Sequence, residues 1–148
     1  MIDKVDSAER HRARIVIQAG ETLPVYSAAV GRAFMAFDDA RTVDRVLKAG
    51  MQQYTPNSIT DTSAFRKELT AVRERGYAVD FEGFSLGVST VAAPIFGADG
   101  QIALVACILD FATVLTREVA PEVGEKLRRV CDRVGSTLGY DNATDVAS

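Results

Sequence analysis

The chain has 148 residues, of which 47% are apolar and 25% charged, values that suit one globular domain with a hydrophobic core. Its net charge of −3 argues against direct contact with nucleic acid, because a free-standing nucleic-acid binder carries a basic surface. No apolar run predicts a signal peptide or a membrane span, and two cysteines are typical of a reduced, cytoplasmic protein rather than a disulfide scaffold.

The first quarter of the chain predicts two strands followed by a buried helix. Residues 1–6 are typical of the end of a strand, and residues 12–18 are β-branched at their centre, which predicts a second strand. Pro24 suits the first turn of a helix, and residues 25–37 are apolar on almost every side, so this helix is expected to be buried. Gly31 inside it costs about 1 kcal/mol relative to alanine, which predicts close approach of another backbone or a ligand.

Two more helices follow. Residues 39–49 predict an amphipathic helix that ends at Gly50. After a loop over residues 54–58, Asp61 is expected to cap the next helix, and Gly76 to end it. The apolar residues of this helix recur at helical spacing: Phe65, Leu69 and Val72.

The rest of the chain predicts three strands and a last helix. Residues 77–81, 87–96 and 101–110 are expected to be strands, the last two joined by a hairpin at Asp99-Gly100. A final helix between Pro121 and Gly139 is predicted from apolar residues at helical spacing: Val123, Leu127, Val130, Val134 and Leu138. This order predicts one α+β domain over residues 1–140, with helices packed on an antiparallel sheet that lacks some strands. Residues 141–148 are small and polar, which predicts a disordered tail.

The hairpin is expected to form the wall of a pocket. A two-residue turn at Ala98-Asp99 would place Thr90 opposite Cys107 and Val88 opposite Leu109, with all four side chains on one face. Both faces of the hairpin are apolar, so both are expected to be buried. Thr90 and Cys107 either fill a core or offer a hydroxyl and a thiol to a polar ligand.

Asp80 ends the strand before this hairpin. It is either a solvated strand end or a hydrogen-bonding partner for a ligand at the same wall, accepting a hydrogen bond or, if burial protonates it, donating one.

Enzymatic chemistry finds little support in the sequence. His11 is the only histidine, so neither a catalytic triad nor a zinc site that needs several histidines is expected. The chain also contains no nucleotide-binding glycine motif. Cys107 lies in an apolar run that should raise the pKa of its thiol, which makes it a poor nucleophile. No catalytic residue, metal or cofactor is therefore expected; a small enzyme using Asp80 and Cys107 is the less favoured alternative.

Four parts of the chain carry motifs in a compatible order and spacing. They are the Leu-Pro to Gly-Arg-Ala segment at 23–33, Tyr-Thr-Pro-Asn-Ser-Ile-Thr-Asp at 54–61, residues 73–80 with 87–94, and Leu-Thr at 115–116. Together they resemble the C-terminal domain of IclR-family transcription regulators. The resemblance implies a GAF-like α+β fold that binds a small effector, often an organic acid, and no enzymatic activity.

In that family a winged helix-turn-helix precedes this domain and binds DNA as a dimer or tetramer. The resemblance therefore implies homo-oligomerisation, and DNA contact only through a module that this chain lacks. Residues 2–5 resemble a strand from the middle of the effector domain, so the strands before it are expected to be missing as well. A structural oligomerisation domain without a ligand stays open as an alternative.

The resemblance also implies a set of effector contacts: Ile15, Leu23, Ala29, Val30, Asp80, Val88, Thr90, Cys107 and Leu109. Family members that bind small carboxylates often have cysteine at the position of Thr90 and serines at those of Cys107 and Leu109. They often have glycine and alanine at those of Ala29 and Val30. Here methyl groups replace hydroxyls, and an unpaired polar group costs about 1–3 kcal/mol. A less polar effector, an aromatic or branched acid, is therefore expected.

Overall fold

The computed structural model describes residues 24–140. Its sheet is antiparallel in the order β1-β2-β3, with strands β1 (Ala78–Phe81), β2 (Val88–Phe96) and β3 (Ile102–Phe111). Its helices are α1 (Ala29–Met35), α2 (Ala40–Ala49), α3 (Thr62–Arg75) and α4 (Ala120–Thr137). The predictions for residues 1–6 and 12–18, for Ile15 and Leu23, and for the tail lie outside the described residues.

The sheet separates two hydrophobic cores. On one face α1 packs directly on the strands, and α2 and α3 contribute to the same core, whose larger members are Met35, Leu47, Phe65, Leu69 and Val72. On the other face α4 packs mainly on β2, and this core includes Val91, Ala93, Ile95, Leu127 and Cys131. The predicted α+β architecture, with helices packed on an antiparallel sheet, is confirmed.

Local signals placed the ends of α2 and α3 correctly. The carboxylates of Asp39 and Asp61 accept hydrogen bonds from the backbone N–H groups of Thr42 and Ala64, both at 2.7 Å, and so cap the two helices. Gly76 ends α3 in the left-handed conformation at φ +80°, and its N–H donates to the Val72 carbonyl.

Helix α1 is shorter than the predicted helix over residues 25–37. Pro24 does not begin it, because the Pro24 carbonyl accepts hydrogen bonds from the N–H and the hydroxyl of Ser27, which closes a turn before the helix starts. Phe34 is exposed, so the helix is not buried all round. The close approach expected at Gly31 is confirmed, because a Cβ atom there would overlap the Val25 carbonyl.

The predicted register of the hairpin is wrong by two positions. Thr90 pairs with Leu109, Ala92 with Cys107, and Val88 with Phe111. The Gly97 N–H donates to the Gln101 carbonyl at 2.8 Å around a three-residue loop, with Gly100 at φ +73°, and the pairing shifts between Ile95 and Phe96. An Asp-Gly pair suits this bulged loop as well as a two-residue turn. Because side chains alternate along a strand, the shift of two leaves Val88, Thr90, Cys107 and Leu109 on one face.

Burial of both hairpin strands was also predicted, and it holds only for β2. Along β3, Leu104, Cys107 and Ile108 are exposed. The reason is position: within the described residues β3 is the edge strand, and the helices pack chiefly over β2.

The buried face of α4 differs from the predicted apolar stripe. Leu127 is buried as expected, but Val130, Val134 and Leu138 are exposed. The buried positions are mostly small: Ala120, Gly124, Leu127, Cys131 and Gly135. They let the helix approach the sheet closely, since a Cβ at Gly124 would overlap the Tyr77 ring.

Candidate functional site

The predicted contact residues that the structure describes meet on the α1 side of the sheet. Asp80 pairs with Thr90, and Thr90 pairs with Leu109, so three neighbouring strands present these side chains on one face. Val88 and Cys107 follow on the same face. Helix α1 covers it, since Ala29 and Val30 belong to the core that contains Ala92 and Val105 of the hairpin.

An ion pair joins α1 to this face. The guanidinium of Arg32 pairs with Asp80 Oδ1, and each side chain is only 6% exposed. The other oxygen, Oδ2, accepts hydrogen bonds from the N–H groups of Gly83 at 3.1 Å and Phe84 at 3.3 Å. Asp80 is therefore a buried hydrogen-bond acceptor rather than a solvated strand end.

Sequence reasoning missed Arg32 as a site residue. The signal was present, because Arg32 is the only charged residue between positions 25 and 37. A charge on a buried helix needs a buried partner of opposite sign. Asp80 is that partner, 48 positions away in the chain.

Two polar atoms beside this pair have unused hydrogen-bonding capacity. Arg32 Nε and Thr90 Oγ1 are buried without a hydrogen-bond partner among the described residues. Thr90 lies directly opposite Asp80, so the hydroxyl and the ion pair share one part of the sheet face. Leaving such groups unsatisfied costs about 1–3 kcal/mol each, which favours a bound polar group at this position.

A loop holds the turn that follows Asp80. The Thr55 hydroxyl donates to the Glu82 carbonyl at 2.7 Å, and the Ser58 hydroxyl donates to the Gly83 carbonyl at 2.6 Å. Glu82 has φ +58°, a left-handed conformation that costs free energy for a residue with a Cβ. The Tyr-Thr-Pro-Asn-Ser motif therefore stabilises the turn at the end of the Asp80 strand.

Cys107 contributes little nucleophilic chemistry to this face. The residue is exposed at the strand edge, yet the thiol itself is largely desolvated by the surrounding protein, which raises its pKa to about 11. Within residues 24–140, no group of three or more His, Cys, Asp or Glu side chains could hold a metal ion. None of the helices in that range is long and apolar enough to cross a membrane.

Two open depressions of about 520 Å³ lie elsewhere on the surface. One is on α4, beside Lys126, Arg129 and Arg133, and the other lies between the end of α1 and helices α2 and α3. Neither is lined by Arg32, Asp80 or Thr90. The polar face under α1, rather than either depression, is where the predicted contact residues come together.

Known proteins match this chain over most of its length. The family model "Bacterial transcriptional regulator IclR C-terminal" matches residues 1–136. The Escherichia coli DNA-binding transcriptional repressor YiaJ is 31% identical over 87% of this chain and 47% of that protein. The chain thus spans about half the length of the curated relatives that it matches.

Solved structures agree with this match. The crystal structure of Thermotoga maritima IclR aligns with a TM-score of 0.83 at 31% identity, covering 93% of this chain and 56% of that one. The inducer-binding domain of a PobR double mutant from Acinetobacter, in complex with 3-hydroxybenzoic acid, aligns with a TM-score of 0.75. It is 22% identical and covers 85% of this chain and 74% of that one, which shows a shared fold alone.

Proposed function

Because the chain belongs to the family of bacterial transcriptional regulator IclR C-terminal domains, we propose that residues 1–140 bind a small-molecule effector and so control a DNA-binding regulator. The regulator oligomerises through this domain and acts in the cytoplasm, where its DNA lies. An acidic chain of net charge −3 is a poor phosphate binder, so DNA contact belongs to a helix-turn-helix module of the parent protein.

One observation carries the proposal: the buried polar group formed by Arg32, Asp80 and Thr90. A sheet face that served only to fill a core would gain stability from apolar side chains here, because a buried ion pair rarely contributes more than a well-packed apolar replacement. Instead Arg32 Nε and Thr90 Oγ1 lack hydrogen-bond partners within the described residues. A ligand with an acidic group and a second polar atom would satisfy both.

The remaining contact residues support an aromatic or branched acid as the effector. Ala29, Val30, Val88 and Leu109 offer methyl groups, which stabilise an apolar body and leave additional ligand hydroxyls unsatisfied. The 3-hydroxybenzoic acid bound by the PobR domain has this composition, with one carboxylate and one hydroxyl on an apolar ring, which makes it a suitable first probe.

Effector binding would act through the turn after Asp80. The Asp80 carboxylate contacts α1 through Arg32 and the turn through the N–H groups of Gly83 and Phe84. A ligand acid that competes for Arg32 would alter all of these contacts. An effector that binds one quaternary state more tightly than another then shifts the parent regulator between states by that difference in affinity.

The test is the stability of the chain in the presence of acids. Urea unfolding is followed with 3-hydroxybenzoate, with 3-methylbutanoate and with neutral 3-hydroxybenzamide. A bound acid at about 100 times its Kd should raise the free energy of unfolding by about 2.7 kcal/mol. The amide should raise it far less, because it cannot form an ion pair with Arg32.

Two variants assign the effect to the site. Thr90→Val keeps the side-chain shape and removes the unpaired hydroxyl, so it should weaken binding of the hydroxylated acid alone. Thr113→Val changes an exposed threonine and should leave binding unaltered. If neither acid stabilises the chain, the domain is better explained as structural. If an acid stabilises it but the two variants respond alike, the acid binds away from Thr90 and the site assignment is wrong.

A further inference from the structure

The carboxylate of Asp80 is held by donors from two separate parts of the chain. The guanidinium of Arg32 on α1 pairs with Oδ1, and the N–H groups of Gly83 and Phe84 donate to Oδ2 at 3.1 and 3.3 Å. A guanidinium matches the geometry of a carboxylate, and successive N–H groups that converge on one oxygen form an anion-binding concavity. The surroundings of Asp80 therefore have the composition of a carboxylate-binding site.

Gly83 gives this site its shape. A Cβ atom at Gly83 would overlap Asp80 Oδ1, so a glycine is needed for the backbone to approach the carboxylate this closely. Its φ is not in the positive range that favours glycine, so the close approach, rather than the backbone angle, excludes a side chain here. The carboxylate thus fills a space that a single methyl group on residue 83 would block.

The donors of the site are held in place without help from the carboxylate. The Thr55 hydroxyl donates to the Glu82 carbonyl at 2.7 Å, and the Ser58 hydroxyl donates to the Gly83 carbonyl at 2.6 Å. Arg32 lies on α1, which packs directly on the sheet. Removing the carboxylate should therefore leave its donors close to their present positions.

We propose that Arg32 and the N–H groups of Gly83 and Phe84 form a carboxylate-binding site that the chain fills with its own Asp80. The internal carboxylate competes with acidic ligands, because an acid that binds Arg32 is repelled by a second negative charge beside the same guanidinium. This competition deepens the proposed function and rests on it for its regulatory meaning. An effector acid needs apolar contacts in addition to its charge, whereas a simple acid such as acetate is excluded.

Urea unfolding of Asp80→Ala near neutral pH, in sodium acetate or in sodium chloride of equal ionic strength, tests the site. Acetate supplies the missing carboxylate, so at about ten times its Kd it should raise the folding equilibrium constant about tenfold above the value in chloride. Neutral acetamide has a similar shape and should have no such effect. Acetate should not stabilise the wild-type chain, whose site is filled, or Asp44→Ala, whose ion pair is exposed.

A second variant locates the bound acetate. Adding Gly83→Ala to Asp80→Ala places a methyl group in the vacated space, so acetate should no longer stabilise the chain. If Asp80→Ala is unfolded in buffer, recovery of the native far-UV circular dichroism spectrum in acetate is the measurement. The proposal is overturned if Asp80→Ala gains no more from acetate than from chloride, or stays unfolded in both. It is equally overturned if acetate stabilises the double variant or the wild-type chain to the same extent.

The two proposals fail separately. Acetate may stabilise only Asp80→Ala while no aromatic or branched acid stabilises the wild-type chain, and that result would count against the proposed effector alone. Stabilisation of the wild-type chain by 3-hydroxybenzoate, without any effect of acetate on Asp80→Ala, would count against the internal carboxylate alone.

Discussion

Replacing Asp80 with alanine should lower the free energy of unfolding by about 3–5 kcal/mol, because it leaves the Arg32 charge buried without a partner. Each side chain of the pair is only 6% exposed, so water can do little to replace the lost carboxylate. The N–H groups of Gly83 and Phe84 lose their acceptor in the same step. The Thr55 and Ser58 hydrogen bonds to the turn would remain, so the loss is expected to be local rather than a collapse of the fold.

Urea unfolding followed by far-UV circular dichroism measures this loss, since the chain has no tryptophan for fluorescence. The matched control is Asp44→Ala, which breaks the Arg66–Asp44 pair at 2.6 Å, where both side chains are 52% exposed. That surface pair should contribute at most about 1 kcal/mol. Adding Arg32→Met to Asp80→Ala should cost less than the two single changes together, because no unpaired charge is left. Equal losses for Asp80→Ala and Asp44→Ala would refute the reasoning.

Three further outcomes follow from packing and from the thiols. Gly31→Ala should lose about 2–3 kcal/mol of stability in the same urea assay, since the new methyl overlaps a backbone carbonyl, and a neutral result would contradict the close approach. Alkylation of Cys107 by iodoacetamide should be roughly a hundredfold slower near neutral pH than that of a free thiol, because its pKa is raised to about 11; rapid labelling would be inconsistent with that. Burial raises the pKa of Cys131 from 9.0 to about 11, so the folded state keeps a proton that the unfolded state releases in this range. The stability associated with it is complete below about pH 9 and is lost as the pH rises toward 11. Cys131→Ala should reduce the fall of the urea unfolding midpoint as the pH rises from 9 toward 11. An unchanged slope of midpoint against pH would contradict this role of Cys131.

Features determined by neighbouring residues were predictable from the sequence. Asp61 caps α3 through the N–H of Ala64, and Gly76 ends it, because both interactions lie within one helical turn of the residue that signals them. Phe65, Leu69 and Val72 are buried as their spacing indicates. The side-chain alternation of β2 and β3 also survived the error in register, which is why the predicted wall residues share a face.

Features that depend on contacts between residues distant in the chain could not be predicted from the sequence. The burial of α4 follows Gly124, Cys131 and Gly135, and an apolar pattern alone gives little weight to such small residues. Their value lies in how closely the sheet can approach, which only the tertiary structure shows. The pairing of Arg32 with Asp80 likewise joins segments that are remote in the chain, so the sequence around either residue does not indicate its partner.

The placement of Asp80 makes three elements depend on one side chain. Its carboxylate joins helix α1, strand β1 and the turn after it, so one substitution there disturbs all three. Val30 and Leu109 are uncharged and only partly buried, so a change in their size should cost less free energy of unfolding. Under the proposed function, these apolar residues can therefore change effector preference while the charged pair is retained for stability.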